Sequence, residues 1–366
     1  MKKIIQQAFF QLRNQPLLSV ITVLGTALAI ALIMVILIVY QAKTADYAPE
    51  VNRSRSLYVK WERTVYDKKD PNSAGHSRPS LWLVKEIFYP LTTPEAVTAT
   101  YEGGEVLVGT VGSDEEMNTP LMLTDAAFWK VYQFRFLAGK PFTEADFQSG
   151  MKQAVIAKSV ARRLFGGAEN AIGKDILVNF AAYTVCGVVD DVNRFCEFTW
   201  SEVYAPYTSN AIASEAEAGQ TSGNNVITIL ARSTDDFDAI RNEVARGVAQ
   251  INTTLGDMEL QLMGQPDNFR MQLNRKFANQ YENLNANFWK YGIMILIILL
   301  VPAINLSGLT NTRMRRRLEE LGIRKAFGAT RNELVWQVLN ENLVLTVMGG
   351  LLGLALAYLF LWLMSD

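Results

Sequence analysis

Leu17–Tyr40 limits what this chain can fold into more than any other stretch: LLSVITVLGTALAIALIMVILIVY, 24 residues without a charge. A helix of that length covers about 36 Å, enough for a hydrocarbon core of about 30 Å. Lys2 and Lys3 give the run the look of a cleaved signal, but signal cores hold only about 7–15 apolar residues, which favours a retained anchor. Two more charge-free runs follow, Tyr291–Leu309 and Leu343–Met364. Three membrane spans are therefore expected, at 17–40, 291–309 and 343–364, the second bent by Pro302. Ahead of the first, residues 1–16 place Ile4, Ile5, Ala8, Phe9 and Leu12 on one face of a short basic helix suited to lie along a lipid interface. Pro16 marks the expected bend into the span.

Charge placement orients the chain. Lys2, Lys3 and Arg13 precede the first span, and Arg313, Arg315, Arg316, Arg317, Arg324, Lys325 and Arg331 lie between the second and third. Arg275, Lys276 and Lys290 oppose them only from the end of a long loop, where the bias is weak. The N-terminus and residues 310–342 are thus expected in the cytoplasm, with 41–290 on the other side. A formal net charge of −1, with no basic cluster away from the spans, argues against a nucleic-acid partner.

Residues 41–290 mix strand and helix patterns, as in an α+β domain. Strands are expected at Ser56–Trp61, Glu105–Val111 and Val226–Leu230, with a helix over Leu81–Tyr89. After Val226–Leu230, Thr234 or Asp235 can cap a helix carrying Phe237, Ile240, Val244 and Val248, and Met258–Met263 returns as a strand, a strand–helix–strand unit. In the middle, Ala154–Gly167 (AVIAKSVARRLFGG) reads as a strand feeding a helix that Gly166 and Gly167 stop, and Asp175–Val178 pairs with Tyr183–Val189 around a turn at 179–182. Residues 210–225 read as a loop. The two ends of the region form one expected lobe, and its middle, roughly 113–220, an inserted second lobe.

Catalytic signatures are missing from the sequence. It holds no G-x-S-x-G, no H-E-x-x-H and no Walker A motif, so it cannot cradle ATP phosphates by that route. Asp190–Asp191 and Asp235–Asp236 read as caps or solvated surface, and the single histidine, His76, as a solvated loop residue. Cys186 and Cys196 are too few for a disulfide framework or a zinc site, although ten residues of chain could bring them into one bridge. No directly bound cofactor or metal is expected.

The stretch AINLSGLTNTRMRRRLEELGIRKAFGATRNELVWQVLNENLVLTVMGGLLGLALA, Ala303–Ala357, carries the most functional information. An Arg-rich extension of the second span reaches Gly322; a compact element Ile323–Phe327 is stopped by Gly328; Thr330 or Asn332 caps a helix leading into the third span. Its NL-x-x-L-x-x-x-R and EELGIRKAFGATR runs resemble the C-terminal module of MacB- and FtsX-like permeases. Phe128–Phe147, SVARRLFGG, IGKDILV and YTVCGVVDDV are similar to the MacB periplasmic core domain, so the resemblance covers most of the chain. It implies a permease of an ABC-type transporter in the bacterial inner membrane, with the ATPase on a separate nucleotide-binding subunit, a second permease copy or paralogue, and possible periplasmic adaptor and outer-membrane channel partners. The two lobes then correspond to porter-like and inserted lobes. Glu320, Gly322, Ile323, Arg324, Lys325, Ala326, Gly328 and Ala329 map onto the family's coupling segment. Ile323 and Phe327 supply apolar contacts to the ATPase, and Glu320 with Arg324 forms an i,i+4 pair. The family pattern adds a fourth span beyond Ser365–Asp366, where this sequence stops.

Small residues at Gly349, Gly353 and Ala357, and at Gly25 and Ala29, suit close helix packing within one chain or between two, and Asn305 suits a bond to a neighbouring helix. The alternative function is a membrane-anchored sensory receptor with an extracytoplasmic sensor domain. The third apolar run counts against it, because about thirty residues before that run leave no room for a signalling domain.

Overall fold

The computed structural model describes residues 16–110, 116–210, 219–275, 277–278, 289–290, 292–300, 303, 322–323 and 325–363. It divides into two compact units, one of Met1–Ala42 with Asn283–Asp366 and one of Lys43–Glu282.

Helix α1, which makes up the described start of the first unit, runs Pro16–Thr44, where the apolar run alone gave 17–40; its last two residues are counted with the second unit. Proline is at home in a first helical turn, since its missing N–H would have no partner there, and Lys43 in the last turn complements the helix dipole. Residues 1–15, which carry the expected interfacial helix and its approach to the bend, lie outside the described residues; Pro16 is the first residue of α1. Residues 292–300 are helical.

The second unit is α+β. Its strands are β1 Ser56–Val59, β2 Glu62–Asp67, β3 Asp70–Pro79, β4 Ala96–Gly109, β5 Glu116–Thr124, β6 Phe136–Gly139, β7 Gln153–Ala157, β8 Asp175–Val178, β9 Ala181–Val189, β10 Val203–Pro206, β11 Ser222–Gly223, β12 Asn225–Leu230, β13 Glu259–Gln261 and β14 Asp267–Asn268. A mixed sheet of ten strands runs β14-β1-β12-β4-β5-β10-β7-β9-β6, with β8 beside β9 and the end of β4. The β5–β10 and β7–β9 pairs are parallel. A second sheet of four runs β11-β3-β2-β13. The expected two lobes are therefore two halves of one continuous sheet. β14, β1, β12 and β4 come from the ends of the region, β5 to β10 from its middle, and the β4–β5 pairing from Thr100↔Thr124 to Gly109↔Glu116 fuses them.

Both faces of the large sheet are covered, which explains strands that are buried at every position. Alternation sends Leu57, Val59, Leu121, Leu123, Val203 and Ala205 into one core and Tyr58, Met122 and Tyr204 into the other. The first core takes the apolar sides of α2 (Lys158–Phe165) through Val160 and Ala161 and of α3 (Phe237–Thr254) through Ile240, Val244 and Ile251. The second is rich in aromatic rings, with Phe128, Tyr132, Phe142, Phe198, Tyr204 and Phe269. Helix α4, Phe269–Asn274, begins with one of them.

Several local readings change. The strands either side of α3 belong to different sheets, β12 to the large one and β13 to the small one, so they form no crossover unit. The cap is Ser233, reciprocated by Asp236, because a 3-10 turn at Thr234–Asp236 precedes the α-helix. Leu81–Leu83 widens into a π turn, Val84–Phe88. The β8–β9 turn needs only Asn179 and Phe180, at φ 45° and 67°, the left-handed pair of a tight hairpin. His76 lies on β3, exposed. Cys186 and Cys196 are free thiols, so the possible bridge is not made.

Candidate functional site

Between the second and third apolar runs, the described residues 322–323 and 325–328 form a single turn. Gly322 and Ile323, then Lys325 and Ala326, are helical; the Phe327 N–H donates to Ile323 O at 3.0 Å and the Gly328 N–H to Lys325 O at 3.1 Å. Gly328 stands at φ 93°, a conformation that glycine alone adopts cheaply, so the turn stops there. Thr330 then caps the next helix: Glu333 N–H donates to Thr330 Oγ1 at 3.4 Å, and Glu333 Oε2 accepts from the Thr330 N–H at 2.8 Å and hydroxyl at 3.0 Å. Of the two capping candidates, the structure uses Thr330 rather than Asn332.

That helix, α5, runs Arg331–Leu363 without a break, so the expected boundary at 342/343 between coupling segment and span falls inside one rod. Ile323 and Phe327, four residues apart, share one side of the turn, with exposures of 58% and 89%. Lys325 and Ala326 are exposed beside them and Ala329 is half-buried. Glu320, Arg324 and Asn305 lie outside the described residues.

The packing residues face α1. A methyl group on Gly353 would stand 2.6 Å from Ala27 O and 3.0 Å from Ile30 Cβ, and one on Gly349 would stand 2.8 Å from Thr26 Cβ. Backbone contact this close is possible only without side chains. Ala357 is buried one turn further on, and Ser19, Thr22, Thr26 and Ala27 are buried on α1. Gly25 and Ala29 are half-buried.

The acidic pairs serve structure. Asp191 accepts the Ser159 N–H at the start of α2, Asp190 lies near Arg135 and Lys158, and Asp236 caps α3's leading turn. Among the described residues no three metal-ligating side chains gather.

Four buried acids escape the sequence reading. Glu50 pairs with Arg53 at 2.7 Å and Asp267 with Arg275 at 2.5 Å, all four side chains almost fully excluded from solvent. Burial pulls the Arg53 guanidinium down, but the neighbouring Glu50 charge outweighs it and holds the group above the ordinary arginine range. Asp125 is pushed up by burial, although Thr98, Tyr89 and the Ala99 and Phe128 N–H groups all donate to it. Glu62 is raised to about 6 by burial, partly offset by hydroxyl bonds from Thr64 and Ser222. The only trace in the sequence is the i,i+3 spacing of Glu50 and Arg53, which an exposed pair would share.

Helices long and apolar enough to cross a membrane precede and follow the α+β domain in the chain, and an exposed apolar turn leads into the second. Residues 19–246 match the MacB-like periplasmic core domain and residues 292–366 the FtsX-like permease C-terminal region; the chain belongs to this MacB/FtsX-like family of ABC transporter permeases. The uncharacterized ABC transporter permease YknZ of Bacillus subtilis is 23% identical over 93% of this chain and 81% of its own length. The macrolide export ATP-binding/permease protein MacB of Wolinella succinogenes is 25% identical over 96% of this chain. The pyoverdine export ATP-binding/permease protein PvdT of Pseudomonas syringae pv. syringae is 27% identical over 64%. This chain spans 52% of that MacB protein and 34% of that PvdT protein. Among solved structures, the extracellular domain of YknZ aligns with 56% of this chain at a TM-score of 0.40 and 19% identity, covering 99% of that domain.

Proposed function

We propose that this chain is the transmission subunit of an ABC exporter. ATP hydrolysis on a separate nucleotide-binding subunit moves the 322–329 turn, α5 carries the movement through the membrane, and the extracytoplasmic domain responds. In this reading α1, residues 291–309 and α5 cross a bacterial inner membrane, with the N-terminus and the turn in the cytoplasm. The permease works as a pair with a second copy or paralogue, and a periplasmic adaptor and outer-membrane channel complete the route. The relatives named for macrolide and pyoverdine export support an export role. Family membership favours this reading over the sensory receptor.

The observation that carries the proposal is the Ile323–Phe327 pair. An 89% exposed phenylalanine on a turn fixed by Gly328 and the Thr330–Glu333 box is an apolar knob held in place with nothing of its own chain to cover it among the described residues. A groove on the nucleotide-binding subunit would cover it. Replacing Ile323 and Phe327 by Asp places carboxylates in that contact. Burying an unpaired carboxylate costs several kcal/mol, which corresponds to affinity lost by more than about a hundredfold. The double variant should insert and fold, yet lose copurification of the ATPase and permease-dependent stimulation of its turnover. Retention of both would remove the coupling role.

A further inference from the structure

The chain comes into the extracytoplasmic unit through residues 45–56 and goes out through residues 267–275, and the two segments are fastened to each other. β1 pairs with β14, with Leu57 opposite Asn268 and Tyr58 opposite Asp267. Next to that ladder the Arg53 guanidinium lies between two rings, 4.4 Å from the centroid of Tyr47 on the incoming segment and 5.0 Å from that of Phe269 on the outgoing one. Its Nε donates to Glu50 Oε2 at 2.7 Å, Nη1 to Ala45 O at 2.8 Å and Nη2 to Phe195 O at 3.2 Å. Glu50 Oε1 in turn accepts from the Phe198 N–H at 3.0 Å and the Thr199 hydroxyl at 2.9 Å. The outgoing segment has its own lock, Asp267 taking Arg275 Nε at 2.5 Å and Nη2 at 2.9 Å.

Stability alone does not account for this arrangement. A buried ion pair must repay the desolvation of both charges, and well-packed apolar side chains of the same size do as well or better. What a forked guanidinium adds is geometry. Its planar donors accept one arrangement of their partners, whereas methyl groups let neighbouring segments slide.

We propose that Arg53 is a positioning residue, the centre of a clasp that makes the incoming and outgoing segments one rigid base, so that force arriving along either connecting chain reaches the whole ten-stranded sheet. The functional half of the proposal rests on the transmission reading above; the rigid base does not.

The test uses the full-length permease in lipid nanodiscs with its ATPase, and compares wild type with Arg53→Lys and with the double variant Glu50→Gln, Arg53→Met. The double variant removes both charges while keeping side chains of similar length, so that neither charge is left buried without its partner. Amide exchange should accelerate about tenfold in residues 45–56 and 267–275 together, as one local opening. The ATP-dependent change in exchange across the large sheet should disappear, while ATPase copurification and basal turnover stay at wild-type values. Arg53→Lys, which keeps the charge and loses the fork, should fall between. Acceleration confined to 45–56, or an undiminished ATP-dependent change with both segments loosened, overturns the clasp. A wild-type complex without any ATP-dependent change instead overturns the transmission reading, and the exchange of the two segments then decides the rigid base by itself. If the double variant fails to fold, Arg53→Lys carries the same comparison.

Discussion

Glu62, the first residue of β2, is a buried carboxylate whose partners are hydroxyls rather than a cation. Oε2 accepts from Thr64 at 2.7 Å and Oε1 from Ser222 at 3.1 Å, and Thr221 backs Thr64 at 2.7 Å. Desolvation raises it to about 6, above its ordinary value of 4.5. The folded value exceeds the unfolded one, so the stability Glu62 brings is complete below about pH 4.5 and lost as the pH rises through about 6. Glu62→Gln removes the ionisation. The variant should be more stable than wild type at pH 8 by up to about 2 kcal/mol, the worth of a shift of about 1.5 pKa units, with the gap closing toward pH 4. Thermal midpoints of the solubilised permease at pH 8, 6 and 4 check this; a gap of constant size would show that packing, not charge, sets the difference. Glu62 lies just past the expected strand Ser56–Trp61, and the sequence alone gives it no role. Its environment depends on Thr221 and Ser222, contributed by a segment far along the chain, and no local pattern records that.

At the scale of elements, the α1–α5 contact turns on which glycine faces which backbone. Gly350 lies one residue from Gly349, but a methyl group there would meet only Ile30 Cδ1, at an ordinary 3.5 Å. Gly353→Ala should therefore force the helices apart and cost about 1–3 kcal/mol. Gly350→Ala should be neutral or gain up to about 1 kcal/mol from better helix propensity. Thermal inactivation of the solubilised permease should separate the two variants; equal behaviour would mean that the close approach at Ala27 is not made. The small-residue spacing of Gly349, Gly353 and Ala357 was legible because a helix puts every fourth residue on one side. That the partner is the Thr26–Ala27–Ile30 face of the same chain was not, since spacing describes one surface and says nothing of the other. The same limit explains the strands around α3. Their alternation marks each as a strand, but hydrogen bonding to β4 or to β2, decided elsewhere in the chain, sends them into different sheets.

For the whole molecule, the division into an apolar unit and an α+β unit was readable from where the charges are, because a charge-free run of spanning length has few other uses. The buried clasp was not, because Glu50 and Arg53 look like any exposed i,i+3 pair until Phe195–Thr199 closes over them. Charge placement also makes the last prediction, on sidedness. The arginines between residues 313 and 331 should hold the 322–329 turn in the cytoplasm, which leaves the α+β unit on the opposite side. Single cysteines at Gln220 and Phe327, both exposed, report on the two sides. The native thiols form a quiet background: burial pushes Cys186 up to about 12 and raises Cys196, which is fully enclosed, so neither offers thiolate at neutral pH. A membrane-impermeant maleimide added to cells with a permeabilised outer membrane should label Gln220→Cys and spare Phe327→Cys, and both should react once the inner membrane is opened. Labelling of both before that opening, or of neither, would place the two units in one compartment. The turn could then not relay force from a cytoplasmic ATPase to a domain across the bilayer, however well it bound one.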